Sequence, residues 1–95
     1  MSLTIVAQIE AKPGTVAELA ESLRSLIPLT RAEPGCEAYE MHRSITDDRL
    51  FHFHEVWTDR SAWEAHMAAE HMTAFGARKD DLVADWRLFE LERVA

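Results

Sequence analysis

The chain has 95 residues, of which 47% are hydrophobic, and a formal net charge of −7. Its length predicts one domain over residues 1–95, its single cysteine, Cys36, excludes an internal disulfide, and no apolar run reaches the ~20 residues that span a bilayer. The acidic balance disfavours nucleic acid and an anionic membrane as partners, while the unpaired thiol and the lack of a basic leader segment predict a cytoplasmic protein.

The first third of the chain predicts a strand followed by a helix. Residues 3–10 alternate apolar and polar side chains, as a strand with one buried face does. A Lys12-Pro13-Gly14 turn follows, and Thr15 with Glu18 has the spacing of a capping box that opens a helix. Apolar residues then recur at three- and four-residue intervals, and Pro28 is expected to loosen or end this helix.

The middle of the chain predicts a β-hairpin made of residues 36–44 and 50–58. A register with Met41 opposite Phe53 and Tyr39 opposite Glu55 gathers the large apolar side chains on one face. A slip of one residue would scatter these side chains over both faces, so we prefer this register.

The last third predicts two helical segments and a final strand. The first helix begins at Asp59 or Ser61 and turns four residues inward, namely Ala62, Trp63, His66 and Met67. Its pattern breaks near Glu70-His71, and helical spacing then resumes and runs as far as Trp86. A strand over about residues 85–93 completes the order βαββαβ, which predicts an α+β, ferredoxin-like fold.

One face of such a sheet is left without helices. In the preferred register this second face carries four apolar residues, namely Val6, Ala38, Val56 and Leu88. A short chain without disulfides gains much buried area when a second copy covers such a face. We therefore expect a homodimer.

Three motifs resemble one protein family along nearly the whole chain. They are P-G-C-x-x-Y over residues 34–39, E-x-W over residues 55–57 and E-A-H-x(4)-H-x(3)-F over residues 64–75. Together they resemble the antibiotic biosynthesis monooxygenase (ABM) family, most closely its members described as quinol monooxygenases. The resemblance implies a dimeric α/β barrel formed by two packed sheets, with a pocket between sheet and helices in each subunit.

The resemblance also implies an activity. Relatives oxygenate phenols or quinols with O₂ and need no flavin, haem or metal, so we expect no cofactor here. Haem-degrading relatives have Asn, Trp and His where this chain has Ala7, His66 and Gly76, which disfavours haem degradation. The Asn and Trp of the polyketide-tailoring members are replaced by Ala62 and His66, whereas His66 and His71 match the quinol-oxidising pattern.

Cofactor-free oxygenation requires a base and a dry pocket, because a phenolate reduces O₂ far more readily than a phenol does. His66 is the predicted base and His71 the second catalytic residue, while Tyr39 and Glu55 would hold a substrate hydroxyl. The predicted pocket walls are aromatic, namely Phe53, Trp57, Trp63 and Phe75. All of these residues also have a purely structural interpretation as core side chains, helix caps or satisfied polar pairs. Because His66 and His71 are five residues apart, we assign them to different helix faces and expect no metal pair.

Three further histidines, His42, His52 and His54, lie on the second sheet face in this register. They could bind a metal ion, but hydrogen bonds across a dimer interface are the preferred interpretation. The leading hypothesis is a cofactor-independent monooxygenase of a small aromatic substrate such as a quinol or phenol. The alternatives are a small-molecule-binding, stress-associated dimer without turnover and a metabolite isomerase on the same scaffold.

Overall fold

Four strands and three helices make up the part of the chain that a computed structural model describes, residues 2–95. In chain order they are β1 Leu3–Ala11, α1 Val16–Arg31, β2 Cys36–Arg43, β3 Leu50–Trp57, α2 Arg60–Met67, α3 Glu70–Leu82 and β4 Val83–Leu91. The strands form one antiparallel sheet in the order β2-β3-β1-β4. This confirms the predicted α+β, ferredoxin-like fold.

The core lies between the helices and one face of this sheet. Strand β1 sends Ile5, Ala7 and Ile9 into it, as the alternation predicts, and all three are buried. In the β2–β3 hairpin Met41 lies opposite Phe53 and Tyr39 opposite Glu55, which confirms the predicted register. The large aromatic side chains therefore gather on the helix side of the sheet.

Helix α1 begins after Thr15 as predicted, but the expected capping box does not form. Thr15 occupies the N-cap position, but its hydroxyl makes no cap hydrogen bond and lies 2.9 Å from the carbonyl oxygens of Lys12 and Leu82. Glu18 pairs with Arg78 on α3 instead of closing a capping box. Pro28 does not end the helix, which continues to Arg31. The last turn is held by tertiary contacts, because the Arg31 guanidinium donates two hydrogen bonds to the Tyr39 carbonyl, at 2.9 and 3.2 Å.

The boundary between α3 and β4 was also misplaced by the sequence pattern. The helix ends at Leu82 and the strand begins at once with Val83, so Trp86 belongs to the strand. The Trp86 side chain nevertheless faces the helices, with its ring 5.9 Å from that of Phe75. A side chain that faces the core fits the same apolar pattern whether it belongs to the end of α3 or to the start of β4, which explains the error. The break between α2 and α3 falls at Ala68 and Ala69, just before the predicted position.

The second sheet face has no helix against it in residues 2–95, and it is partly apolar. Leu88 pairs with Ala7 and so lies on the helix side, contrary to the prediction, while Phe89 pairs with Val6 on the open face. The mistake came from the strand's register, which a single sequence does not determine. The less polar residues of this face are Thr4, Val6, Ala38, Leu50, Val56, Phe89 and Leu91. We call this surface the open face.

A close approach at Gly35 fixes the turn between α1 and β2 against α2. Gly35 has φ +84°, and a Cβ atom placed there would lie 2.6 Å from the Cβ of Ala62 and 2.7 Å from the Thr58 hydroxyl. The Gly35 carbonyl also accepts a hydrogen bond from the Thr58 amide at 2.9 Å. Only glycine satisfies both the backbone angle and the contact.

Replacing Gly35 with alanine should therefore cost more stability than the same change at Gly14. Gly14 has a similar φ of +83° but nothing within 4 Å of the added methyl group, so it isolates the cost of the backbone angle. We expect Gly14→Ala to lower the free energy of unfolding by about 1 kcal/mol and Gly35→Ala by about 3 kcal/mol. Urea unfolding of the two variants measures the difference, and equal losses would contradict the close packing of α2 on this turn.

Candidate active site

Two histidines from different helices converge on one carboxylate oxygen. His66 on α2 donates from Nδ1 to Oε2 of Glu33 at 2.7 Å, and His71 on α3 donates from Nε2 to the same oxygen at 2.9 Å. The Thr30 hydroxyl lies 3.2 Å from Nε2 of His71. An ionised carboxylate only accepts hydrogen bonds, so both of these ring nitrogens carry a proton. We call Glu33, His66 and His71 the Glu–His–His cluster.

The local folds explain why three distant residues meet. Glu33 lies in the turn after α1, which Gly35 holds against the start of α2. Helices α2 and α3 are separate, so a spacing of five residues does not place His66 and His71 on different faces of one helix. Their predicted separation was therefore wrong. The sequence reasoning also missed Glu33, although it directly precedes the Pro34-Gly35 turn of the first motif.

His66 is a buried, neutral imidazole with one nitrogen still available. Its side chain is 1% exposed, and its ring lies 4.7 Å from the ring of Trp57 and 5.7 Å from that of Tyr39. Burial lowers the pKa of His66, while the hydrogen bond and charge of Glu33 act in the opposite direction. No hydrogen bond within residues 2–95 uses its Nε2 atom. With a proton on Nδ1, this Nε2 has the free lone pair of a general base.

A second buried acid lies beside the histidine. Glu55 is 4% exposed, and burial raises its pKa to about 7, against the opposing effect of a hydrogen bond from Trp57. That bond, from Nε1 of Trp57 to Oε1 of Glu55, measures 3.0 Å. Tyr39 faces Glu55 as predicted, but no hydrogen bond joins the two within the described chain. Burial and the nearby Glu55 charge raise the pKa of the Tyr39 phenol above its usual range.

The space between sheet and helices is nearly closed. An internal cavity of about 10 Å³ touches five of the predicted residues, namely Tyr39, Phe53, Glu55, Trp63 and His66. A water molecule needs roughly 10–15 Å³ of such space.

Met67, predicted to face inward, is 39% exposed and borders the cavity with Met72. Trp57 and Phe75 are buried core residues that do not border the cavity, and neither does His71.

A larger depression lies on the opposite side of the sheet. It has a volume of about 540 Å³ and includes His42, His52 and His54 in its lining. These histidines share the open face as predicted, and Nε2 of His42 lies 3.1 Å from Oε1 of Glu40. They do not converge on a common point. Within residues 2–95, the ligand atoms close enough to share a metal ion are those of the Glu–His–His cluster, which lie within 4.8 Å of one another.

The same part of the chain contains no helix that is both long and apolar enough to cross a membrane.

The sequence and the fold are both similar to those of known proteins. Residues 2–78 match the sequence profile of the family described as "Antibiotic biosynthesis monooxygenase". The crystal structure of PA3566 from Pseudomonas aeruginosa is 36% identical in sequence, covers 99% of this chain and 95% of its own, and superimposes with a TM-score of 0.96. These two similarities extend over most of the fold.

Two curated relatives are more distant in sequence. "Uncharacterized protein sll1783" from Synechocystis is 28% identical over 93 residues, which are 98% of this chain but only 63% of that protein's length. "Putative monooxygenase YcnE" from Bacillus subtilis is 27% identical over 82 residues, 86% of each chain. The chain thus spans less than two thirds of the first relative and most of the second.

The raised pKa of Glu55 predicts a pH-dependent loss of stability. A carboxyl group that holds its proton to about pH 7 when folded, but loses it near pH 4.5 when unfolded, costs nothing at low pH and most above pH 7. Glu55→Gln keeps an acceptor for Trp57 and removes this titration. We expect the variant to gain about 2 kcal/mol over the wild type between pH 5 and pH 8. Urea unfolding at both pH values measures it, and a constant difference would contradict the shift.

Proposed function

Because this chain belongs to the antibiotic biosynthesis monooxygenase family, we propose that it oxygenates a small aromatic substrate, a quinol or phenol, with O₂ and without a cofactor. The observation that carries the proposal is the orientation of His66, whose Nδ1–H is bound by Glu33 while Nε2 remains free. The substrate supplies the electrons. One oxygen atom enters the aromatic ring system and the other leaves as water.

In this mechanism His66 acts as the general base. Its Nε2 takes the phenolic proton, and the resulting imidazolium is stabilised by the Glu33 carboxylate 2.7 Å from Nδ1. The phenolate then passes an electron to O₂ in a site that excludes water. The lowered pKa of His66 keeps the imidazole unprotonated at neutral pH, so its Nε2 is free to accept a proton.

His71 completes the path of the proton. It shares Oε2 of Glu33 with His66, and its side chain is 16% exposed against 1% for His66. A proton taken up inside can therefore leave through Glu33 and His71 to solvent. This role differs from direct contact with the substrate, because His71 does not border the cavity.

Substrate binding falls to the residues around the small cavity. Glu55, with a pKa of about 7, is partly protonated at neutral pH and can donate a hydrogen bond to a substrate oxygen. Tyr39 can do the same, and Phe53 and Trp63 provide aromatic walls. Trp57 and Phe75 support these walls from behind. A substrate must displace side chains to enter, and Met67 and Met72 are the flexible residues that border the space.

We propose further that residues 1–95 act as one domain and that two copies pair through their open faces. Phe89 and Leu91 there are 37% and 44% exposed, and Val6 and Val56 lie beside them in the same rows of the sheet. A contiguous apolar surface of this kind is costly in water. A second sheet against it would form the barrel that the family resemblance implies.

His66→Ala should abolish most of the oxygenase activity. We expect oxygen uptake with a panel of hydroquinones to fall by a factor of about 100 or more, the usual contribution of a general base. The control is Leu29→Ala, which truncates a side chain that is 54% exposed on α1, away from both the cavity and the open face. If His66→Ala leaves the activity unchanged, His66 is not the general base. A wild type that consumes no oxygen, yet is stabilised by a hydroquinone in a melting experiment, would favour the binding protein instead.

A charge on the open face should separate the dimer. Val6→Glu or Phe89→Glu would bury a carboxylate at the centre of the proposed contact, which is strongly unfavourable without a partner charge. Leu29→Glu is the control, because Leu29 is 54% exposed on α1. Sedimentation velocity should show monomers for the first two variants and dimers for the wild type and the control. A dimer that survives both open-face substitutions would place the contact elsewhere.

A further inference from the structure

We propose that the Glu–His–His cluster binds a divalent transition-metal ion, with Zn²⁺ as the best fit, and that the bound ion switches His66 off as a base. Binding itself follows from the geometry of the cluster. Only the second part, the inhibition, rests on the proposed oxygenase function.

The positions of the three ligand atoms are close to those of a metal site. They come from three separate segments of the chain and lie within 4.8 Å of one another. Oε2 of Glu33 is 2.7 Å from Nδ1 of His66 and 2.9 Å from Nε2 of His71. Ligand atoms around a tetrahedral zinc ion are about 3.3–3.5 Å apart. The carboxylate therefore has to withdraw by roughly half an ångström, and the two imidazole nitrogens, which lie within 4.8 Å of each other, have to adopt the same spacing. Glu33 lies in a turn where its side chain is 14% exposed.

The chemistry of the donors fits as well as their positions. Two imidazoles and one carboxylate form the ligand set of many zinc enzymes and leave a position for water. The Thr30 hydroxyl is a neutral oxygen 3.2 Å from one of the ligand atoms, Nε2 of His71. The cation would lie in an acidic neighbourhood, because Glu55 is near enough for the Glu33 charge to raise its pKa.

Metal binding requires each imidazole to shift its proton. The nitrogens that face Glu33 now carry hydrogen, and a metal ion needs their lone pairs. Each proton can move to the other ring nitrogen, since neither Nε2 of His66 nor Nδ1 of His71 makes a hydrogen bond within residues 2–95. The change in each ring is one of tautomer, from one ring nitrogen to the other.

This shift of tautomer has a direct consequence for His66. In the metal-free cluster its Nε2 has the lone pair that accepts the phenolic proton, and in the metal-bound form the same nitrogen carries a hydrogen. The ion thus inhibits the base without entering the cavity. Zinc should lower the rate of oxygen uptake, and a chelator should restore it.

Titration calorimetry of the full chain with ZnCl₂, after removal of metals by a chelator, tests the binding. We expect one ion per chain with a Kd of about 1 μM or lower. Glu33→Gln and His71→Ala each remove a ligand and should weaken it by a factor of about 100 or more, since losing a partner outside the ligand set already costs roughly 10–100-fold. The control replaces His42, His52 and His54 together with alanine and should leave the affinity unchanged. Loss of binding in this control, or no binding by the wild type, would overturn the proposal.

X-ray absorption at the zinc edge of the wild-type complex needs no variant and so does not depend on how the variants fold. It should show two imidazole nitrogens and oxygen ligands at about 2.0–2.2 Å. Fewer than two imidazoles would overturn the assigned ligands. Zinc that binds at this site but does not slow an active enzyme would overturn the inhibition. An enzyme without oxygenase activity that still binds zinc refutes the proposed function and leaves the metal site standing.

Discussion

One shared oxygen atom organises the helix side of this molecule. Oε2 of Glu33 accepts hydrogen bonds from both His66 and His71, which joins α2, α3 and the turn after α1 at one point. The arrangement satisfies three buried or half-buried polar groups at once, and leaving any of them without a partner would cost stability. It also fixes the ring of His66 in one orientation. The position of α2, a helix of only eight residues, depends on this contact and on the close packing at Gly35.

Much of the fold could be predicted from local patterns. The alternation along β1 identified the buried face of that strand. The cross-strand pair of Met41 and Phe53 identified the register of the hairpin, because a wrong register would expose large apolar side chains. The errors occurred where two structures satisfy one pattern. Trp86 faces the core whether it ends a helix or lies in a strand, so apolar spacing alone did not locate the start of β4.

The candidate site was predictable as a set of residues but not as an arrangement. His66 stood out because it matches the family's motif and is polar among apolar helix neighbours, and the structure does bury it. Glu33 did not stand out, since a glutamate before a Pro-Gly turn is ordinary. The meeting of the two histidines depends on the angle between α2 and α3, which is set by packing across the break at Ala68 and Ala69. Residue spacing contains no information about that angle.

Successive residues of strand β3 face opposite sides of the sheet, which bears on regulation. His54 and Val56 lie on the open face, while Glu55 and Trp57 face the helices. In a dimer, one strand would therefore border both the subunit contact and the substrate space. Any coupling between dimerisation and substrate binding would be reciprocal, each altering the equilibrium constant of the other by the same factor. Apparent substrate affinity would vary with protein concentration, as it does for any ligand that distinguishes a monomer from its dimer.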